Sequence, residues 1–376
     1  MEVRTLGYTP QQGWTEPLPP LDSPDTLVLA FGASSLRSAG SLYTTLRTTY
    51  PASHLMGCST SGEILGAKVS DDSLSLAVVR FQHTRLRRVG ADITSAADSR
   101  GAALSMAEAL DAPDLKAVFV LSDGLHVNGS ELVRGFNERF GGRVIVTGGL
   151  AGDGARFKST WVLSEGRPEE SRAVAVGFYG DRIRVGHGSK GGWDTFGPER
   201  KITRAQGNVL HELDGRPALA LYKDYLGDLA SGLPATALLF PLALRLEEGE
   251  QRQLVRTVLA VDEASQTMTF AGDLPEGGLV QLMRANFDRL IGGAQEAAGR
   301  IGSLDAGPAL CIAISCVGRR LVLGERTEEE VETTLQALPE GTSQVGFYSY
   351  GEISPFASGA CDLHNQTMTL TVLQEV

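Results

Sequence analysis

An α/β fold with mixed sheets flanked by helices is what this 376-residue sequence predicts, and three observations carry the prediction. Short apolar runs at 27–32, 116–121 and 310–315 each precede a stretch with helical spacing and then a second apolar run, the pattern of strand–helix–strand units. A loop also repeats. Gly57-Cys58-Ser59-Thr60-Ser61-Gly62-Glu63-Ile64 and Gly346-Phe347-Tyr348-Ser349-Tyr350-Gly351-Glu352-Ile353 keep Gly and Gly-Glu-Ile at identical spacing, and Thr147-Gly148-Gly149-Leu150-Ala151-Gly152-Asp153 is a third version with Asp for Glu. Finally, the chain is long enough for two domains, and five Gly or Pro residues between 188 and 198 mark a junction. The expected division is an N-terminal arm over 1–25, a domain over 26–196 and a second over 197–376.

In order along the chain, the prolines at 17, 19, 20 and 24 oppose regular structure, so the arm is expected to lie on the surface. Residues 34–50 place Ala39, Leu42, Tyr43, Leu46 and Tyr50 at helical spacing before Pro51 stops them. Residues 54–58 form the strand that delivers the first loop; strands over 74–81 and 86–93 and an alanine-rich helix over 94–110 follow. The second run ends in Ser122-Asp123-Gly124. Asn128-Gly129-Ser130-Glu131 then opens a helix with Leu132, Val133, Phe136 and Phe140 on one stripe and Gly141-Gly142 as its stop. Residues 160–163, 173–179 and 183–188 read as an antiparallel meander.

Past the junction, Asp214-Gly215-Arg216-Pro217 turns into a helix over 218–226. Strands over 238–245 and 254–261 flank Glu247-Glu248-Gly249-Glu250, read as an exposed hairpin loop, and 285–301 is a helix. The third run leads into Cys316-Val317-Gly318-Arg319-Arg320. Thr327-Glu328-Glu329-Glu330 reads as a capping box for a helix with Val331, Leu335 and Leu338 inward, and His364-Asn365-Gln366-Thr367 opens a last strand. Unequal unit lengths exclude a solenoid, and the units read as two related α/β halves.

Composition removes several classes of function. A net charge of −11 argues against a nucleic-acid backbone as partner, because phosphate binding needs clustered Lys and Arg. The run over 235–246 is too short to span a bilayer and is broken by Pro241, and no export signal is visible, so no membrane insertion and a cytoplasmic location are expected. Four cysteines at irregular spacing suggest neither a disulfide framework nor a CxxC zinc site. The glycine loops match neither a P-loop nor GxGxxG.

What remains points to a ligand site at strand ends rather than to a reaction. Glu63, Asp153 and Glu352 either accept hydrogen bonds from a ligand amine or hydroxyl, or the glycines close turns and the acids cap neighbouring helices. Cys316 is a buried thiol, or one whose pKa a nearby Arg319 lowers. Arg319 is a bidentate partner for a ligand carboxylate or phosphate, or pairs with Glu325 or Glu352. Tyr348 and Tyr350, two residues apart, share one face of a strand and line a pocket or a core. His364 beside Asn365 stabilises a turn or ligates metal or heme iron, and His187 is a second heme candidate. No His or Asp is placed to complete a nucleophilic triad, so an enzyme is not indicated.

Several of these motifs, in this order, resemble the FIST family. Gly57–Ile64, Leu121-Ser122-Asp123-Gly124 and Gly148–Asp153 are similar to its N-terminal domain. Leu213–Ala218, Cys316-Val317-Gly318-Arg319, Phe347–Ile353 and Leu363–Thr367 are similar to its C-terminal partner, and the likeness covers residues 24–373. The resemblance implies a sensory module that binds a small polar metabolite such as an amino acid. It implies output to a separately encoded signalling protein such as a histidine kinase, since no kinase, cyclase or F-box segment is recognisable. Some family members are heme-based nitric-oxide sensors, which makes heme at His364 or His187 the alternative; a cysteine-dependent enzyme built on Cys316 is the third reading. The expected ligand contacts are Cys316, Arg319, Tyr348, Tyr350, Glu352, His364 and Asn365, with Glu63 and Asp153 contributing from the other copies.

Overall fold

The three buried runs become the central strands of three equivalent units. A computed structural model describes residues 1–246, 254–302, 304–355 and 359–376. The first unit comprises β1 (Glu2–Thr9), β2 (Thr26–Ala33), α1 (Gly40–Thr49), β3 (His54–Thr60), a hairpin of β4 (Glu63–Leu65) and β5 (Lys68–Ser70), and β6 (Leu74–Arg80). The second repeats that order as β7 (Arg85–Asp92), α2 (Ser99–Leu110), β8 (Leu115–Ser122), α3 (Gly129–Phe140), β9 (Ile145–Leu150), the hairpin β10 (Val162–Ser164) and β11 (Arg167–Glu169), and β12 (Arg172–Tyr179).

The third unit opens with β13 (Ile183–Lys190) and then leaves for a separate body. That body holds β14 (Asp194–Gln206), β15 (Val209–Leu213), α4 (Ala218–Leu226), β16 (Leu242–Arg245), β17 (Leu254–Arg256), β18 (Val258–Asp262), β19 (Thr267–Phe270) and β20 (Leu279–Arg284). The unit resumes with α5 (Phe287–Gly299), β21 (Ala309–Cys316), α6 (Val317–Leu323), α7 (Thr327–Gln336), β22 (Thr342–Ser349), the hairpin β23 (Gly351–Pro355) and β24 (Cys361–His364), and β25 (Met368–Glu375).

Pairing is the same in each unit. The central strand runs parallel to the strand after the helix and antiparallel to the last strand: β2 with β3 and β6, β8 with β9 and β12, β21 with β22 and β25. The opening strand pairs with the far side of the last strand, β1 on β6, β7 on β12 and β13 on β25. The hairpins are exchanged in a ring: β4 pairs with β22, β10 with β3, and β23 with β9. Each sheet is therefore completed by its neighbour.

Alternation along the central strands divides the core. Leu27, Leu29 and Phe31, Ala117, Phe119 and Leu121, and Leu310, Ile312 and Ile314 meet in one interior shared by all three units. The intervening residues Val28 and Ala30, Val118 and Val120, and Cys311 and Ala313 face three separate helix layers. Each fully buried large apolar side chain contributes about 1.5–3 kcal/mol, so the shared interior outweighs any single loop contact in holding the units together. The leading glycine of each repeated loop serves this packing. A Cβ on Gly57, Gly148 or Gly346 would collide with the carbonyl oxygen of Ala30, Val120 or Ala313 on the adjacent parallel strand.

The separate body is a curled, barrel-like sheet. β17 and β18 are parted only by Thr257, yet β17 pairs with β16 and β18 with β19, so the chain joins the two ends of the strand order through that residue. Ile202, Leu210, Tyr222, Leu242 and Phe270 fill it. Its entry and exit lie side by side, Asp194 opposite Arg284. The mixed sheets flanked by helices and the two-body α/β architecture are as the sequence predicts. β14 runs across the expected boundary at 196/197, and the chain from Phe287 onward rejoins the three-sheet body.

Several local expectations are overturned. Residues 2–9 are not an irregular arm but a strand, paired with β6 on one side and with Gly13 and Trp14 on the other, and Leu6 packs into the helix layer of the first unit. The repeat is threefold, not two halves; the barrel inserted after β13 disguises the third unit. The meander over 160–188 does not exist, since β10, β12 and β13 belong to three different sheets. Arg326, not Thr327, precedes α7, and no side chain caps it. The start of α3 is as expected, with Asn128 Oδ1 accepting from Glu131 N at 3.1 Å, and Gly141 ends it in the left-handed conformation. Glu247-Glu248-Gly249-Glu250 lies outside the described residues.

Candidate functional site

The repeated loops converge at one end of the three-sheet body, each bonded to the next unit. Ser61 N donates to Tyr348 O at 2.8 Å, Gly152 N to Ser59 O at 2.9 Å, and Tyr350 N to Leu150 O at 3.2 Å.

The acids of these loops close their own turns. Glu63 accepts from the Thr60 hydroxyl, from Ser73 N at 3.1 Å and from Ser73 Oγ at 2.7 Å. Glu352 has the matching set: Ser349 Oγ at 2.7 Å, Thr367 N at 3.2 Å and Thr367 Oγ1 at 2.9 Å. Burial pushes their pKa values up, to about 7 for Glu63 and about 8 for Glu352, against the hydrogen bonds that favour the charged forms. Asp153 accepts from the backbone N–H groups of Phe157, Lys158 and Ser159 and from the hydroxyl of Tyr350. Burial opposes its charge, but those bonds prevail and hold its pKa below the usual range.

The residues of the C-terminal copy fall into separate hydrogen-bonded sets. Arg319 is fully buried and pairs with Glu330, not with Glu325 or Glu352: Nε lies 2.7 Å and Nη2 2.5 Å from Oε1. Its other donors go to the carbonyls of Gly191, Gln366 and Leu290. Tyr348 donates to the other oxygen of Glu330 at 2.8 Å, and Ser315 Oγ joins at 3.0 Å. This polar cluster locks α6 and α7 onto β21. Tyr350 does not share a face with Tyr348, because β22 ends at Ser349; it reaches the second unit and stacks on Phe157 with centroids 4.4 Å apart.

Cys316 is buried, and burial raises its thiol pKa, with Glu352 adding to the rise; Arg319 does not reverse it. The expectation of an activated thiol fails for that reason. His364 is buried with Nε2 3.0 Å from the Ser354 carbonyl. Asn365 is buried beside it, Nδ2 donating to the His364 carbonyl at 3.0 Å. His187 is half-buried on β13, its pKa lowered by burial. Among the described residues no group of His, Cys, Asp and Glu is placed to hold a metal.

What sequence reasoning missed is the neighbour of Arg319. Successive helical residues point about 100° apart, so Arg319 turns inward and Arg320 turns toward the loops. Arg320 Nη1 donates to Asp71 Oδ1 at 2.7 Å and to the Ser61 carbonyl at 2.6 Å, and Nη2 donates to Asp71 Oδ2 at 2.7 Å. Its guanidinium lies 5.7 Å from the Tyr348 ring centroid and packs on the backbone of Gly62, where a Cβ would stand 2.5 Å from Nη1. Arg320 is 22% exposed, whereas Asp71 is 68% exposed. The hydrogen bond from Arg320 holds the Asp71 carboxyl below its usual pKa.

Around this pair lies a groove of about 510 Å³, bounded by Ser61, Asp71, Gly154, Arg320, Glu325 and Glu328. All three units contribute to it. The same pairing recurs one unit away. Arg37 and Arg320 each stand four residues after the end of a central strand, and Arg37 pairs with Glu170. Asp71 and Glu170 each precede a left-handed residue, Asp72 and Ser171. That common offset is a signal the sequence carries.

No helix among the described residues is long and apolar enough to cross a membrane. Among solved structures, the chain is similar to a cyanuric acid hydrolase from A. caulinodans, at 10% identity and a TM-score of 0.39 over 100% of this chain and 98% of that one. It is also similar to a chorismatase, at 9% identity and a TM-score of 0.34 over 99% and 98%. Scores this low transfer neither fold nor activity. No curated protein matches the sequence. Family models do match: the FIST N domain over residues 26–216 and the FIST C domain over 218–355. Two models in the order the loop motifs imply, over most of the chain, place this protein in the FIST family, which is associated with sensing small ligands in signal transduction.

Proposed function

We propose that the protein is a cytoplasmic sensor of a small polar metabolite, an amino acid or a similar compound, and that the ligand sits in the groove around Arg320. The observation that carries this is the groove itself: loops of all three units converge on one sheltered arginine whose carboxylate partner is largely in water. Concave sites with a few convergent polar groups at strand ends are where α/β proteins hold ligands. Glu63 and Asp153 brace the loops from which Asp71 and Gly154 reach the groove; Tyr350 fixes the third loop on the second. Cys316, Arg319, Tyr348, Glu352, His364 and Asn365 keep α6 and the last turn in place behind it.

Binding would favour one arrangement of α6 and its partners over another, and a separately encoded partner such as a histidine kinase would read the difference. The reading is binding rather than catalysis; it is supported by the family's association with ligand sensing and by the convergence of the loops on Arg320. Thermal-shift screening against a metabolite panel tests it. The expected result is a stabilising ligand whose effect disappears in Arg320→Ala. A ligand whose effect survives Arg320→Ala would place the site elsewhere.

A further inference from the structure

Asp71 is bound to Arg320 as a ligand carboxylate would be. Both of its oxygens meet both terminal nitrogens at 2.7 Å, the fork-to-fork geometry that arginine offers to free carboxylates. The arginine is fixed from three other directions, by the Ser61 carbonyl, the Gly62 backbone and the Tyr348 ring. The aspartate is fixed by nothing comparable: its side chain projects into solvent from the turn between β5 and β6, two residues ahead of the Ser73 clamp held by Glu63.

We infer that Asp71 is an internal stand-in for the ligand's carboxylate, which occupies the Arg320 seat when the groove is empty and yields it on binding. The inference rests on the groove being the ligand site. It also narrows the ligand class. Once Asp71 swings away, Glu325 and Glu328 remain at the wall, so one cation faces two further acids. A ligand with a carboxylate and a nearby ammonium group satisfies both signs; a phosphate or a dicarboxylate leaves the acids opposed. The aspartate side of the pair is largely in water, which offsets much of the cost of releasing it, so Asp71 can be displaced. It still lowers apparent affinity by the fraction of time the seat is taken.

The test uses the full chain, with glycine, acetate, methylammonium and inorganic phosphate as probes and thermal shift as readout. In Asp71→Ala the half-saturating glycine concentration should fall roughly fivefold or more below wild type, the factor expected when an exposed pair no longer competes. Asp71→Asn, which keeps the shape of the turn, should follow, and Arg320→Ala should abolish the response in either background. Glu170→Ala, at the equivalent pair without the groove, should leave it unchanged. Glycine half-saturation that stays the same or rises in both Asp71 variants, while they melt cooperatively, overturns the inference. So does a gain for phosphate without one for glycine, or the same gain in Glu170→Ala. A metabolite response that Arg320→Ala abolishes but the Asp71 variants do not sharpen removes only the stand-in; one that survives Arg320→Ala removes the groove as well.

Discussion

The seam between the third and first units and the seam between the first and second carry the same ion pair in different settings. At the former, Arg320 is sheltered and its acid is open to water. At the latter, Arg37 is 44% exposed, Glu170 is 38% exposed, and the Ser159 hydroxyl braces the acid at 2.9 Å. The residue before each arginine explains the contrast. Leu36 anchors its turn through apolar packing, whereas Arg319 anchors α6 through Glu330 and three backbone carbonyls. Threefold repetition builds the scaffold. The departures from it build the groove.

The most severe way to break this contrast is to remove the polar anchor. Arg319→Ala leaves Glu330 buried without its cation and should cost about 3–5 kcal/mol, read by chemical denaturation. A loss below about 1 kcal/mol would mean that the buried cluster does not hold α6 in place.

A second effect depends on pH. Glu63 and Glu352 have folded-state pKa values raised above the ordinary carboxylate range, to about 7 and about 8. The folded protein therefore binds protons that the unfolded chain releases, so the stabilisation is complete near pH 4.5 and is lost as pH rises to about 8. Glu352→Gln should flatten the upper part of that decline, by an amount on the order of a few kcal/mol, in melts taken from pH 5 to 9. A decline identical to wild type would assign the titration to other groups.

Glycine replacements separate scaffold from site. Gly346→Ala forces a Cβ onto the Ala313 carbonyl and should destabilise by roughly 1–3 kcal/mol or more. Gly62→Ala drives a Cβ into the Arg320 guanidinium, at a positive φ, and should disturb ligand binding more than it disturbs the first sheet. The smallest change is expected at the open seam: Arg37→Ala should stay within about 1 kcal/mol of wild type and leave ligand response intact. A larger loss there would make the two seams mechanically alike.

Local order was legible in the sequence wherever a short-range rule governs it. The central strands, the Asn128 cap and the stop at Gly141 follow from periodicity and capping, and the repeated loops identified the end of the molecule where the units meet. The hairpin exchange was not legible, because which strand completes which sheet is decided by contacts between distant segments. Arg319, His364 and Glu352 are legible as unusual polar residues at strand ends, whereas their burial and their partners within the fold are not. Arg320 and Asp71 sit at offsets that match Arg37 and Glu170, a correspondence that the inserted barrel obscures in the sequence.

The exchanged hairpins also bear on how the chain is made. The second unit has all its own strands by Tyr179, yet its sheet is finished only by β23 and β24. As the polypeptide leaves the ribosome, the edge of β9 must wait for the synthesis of the barrel and most of the third unit, with apolar surface uncovered meanwhile. Truncation before residue 351 would therefore damage a region that ended more than 150 residues earlier, and nascent chains of intermediate length are where a chaperone would be most needed.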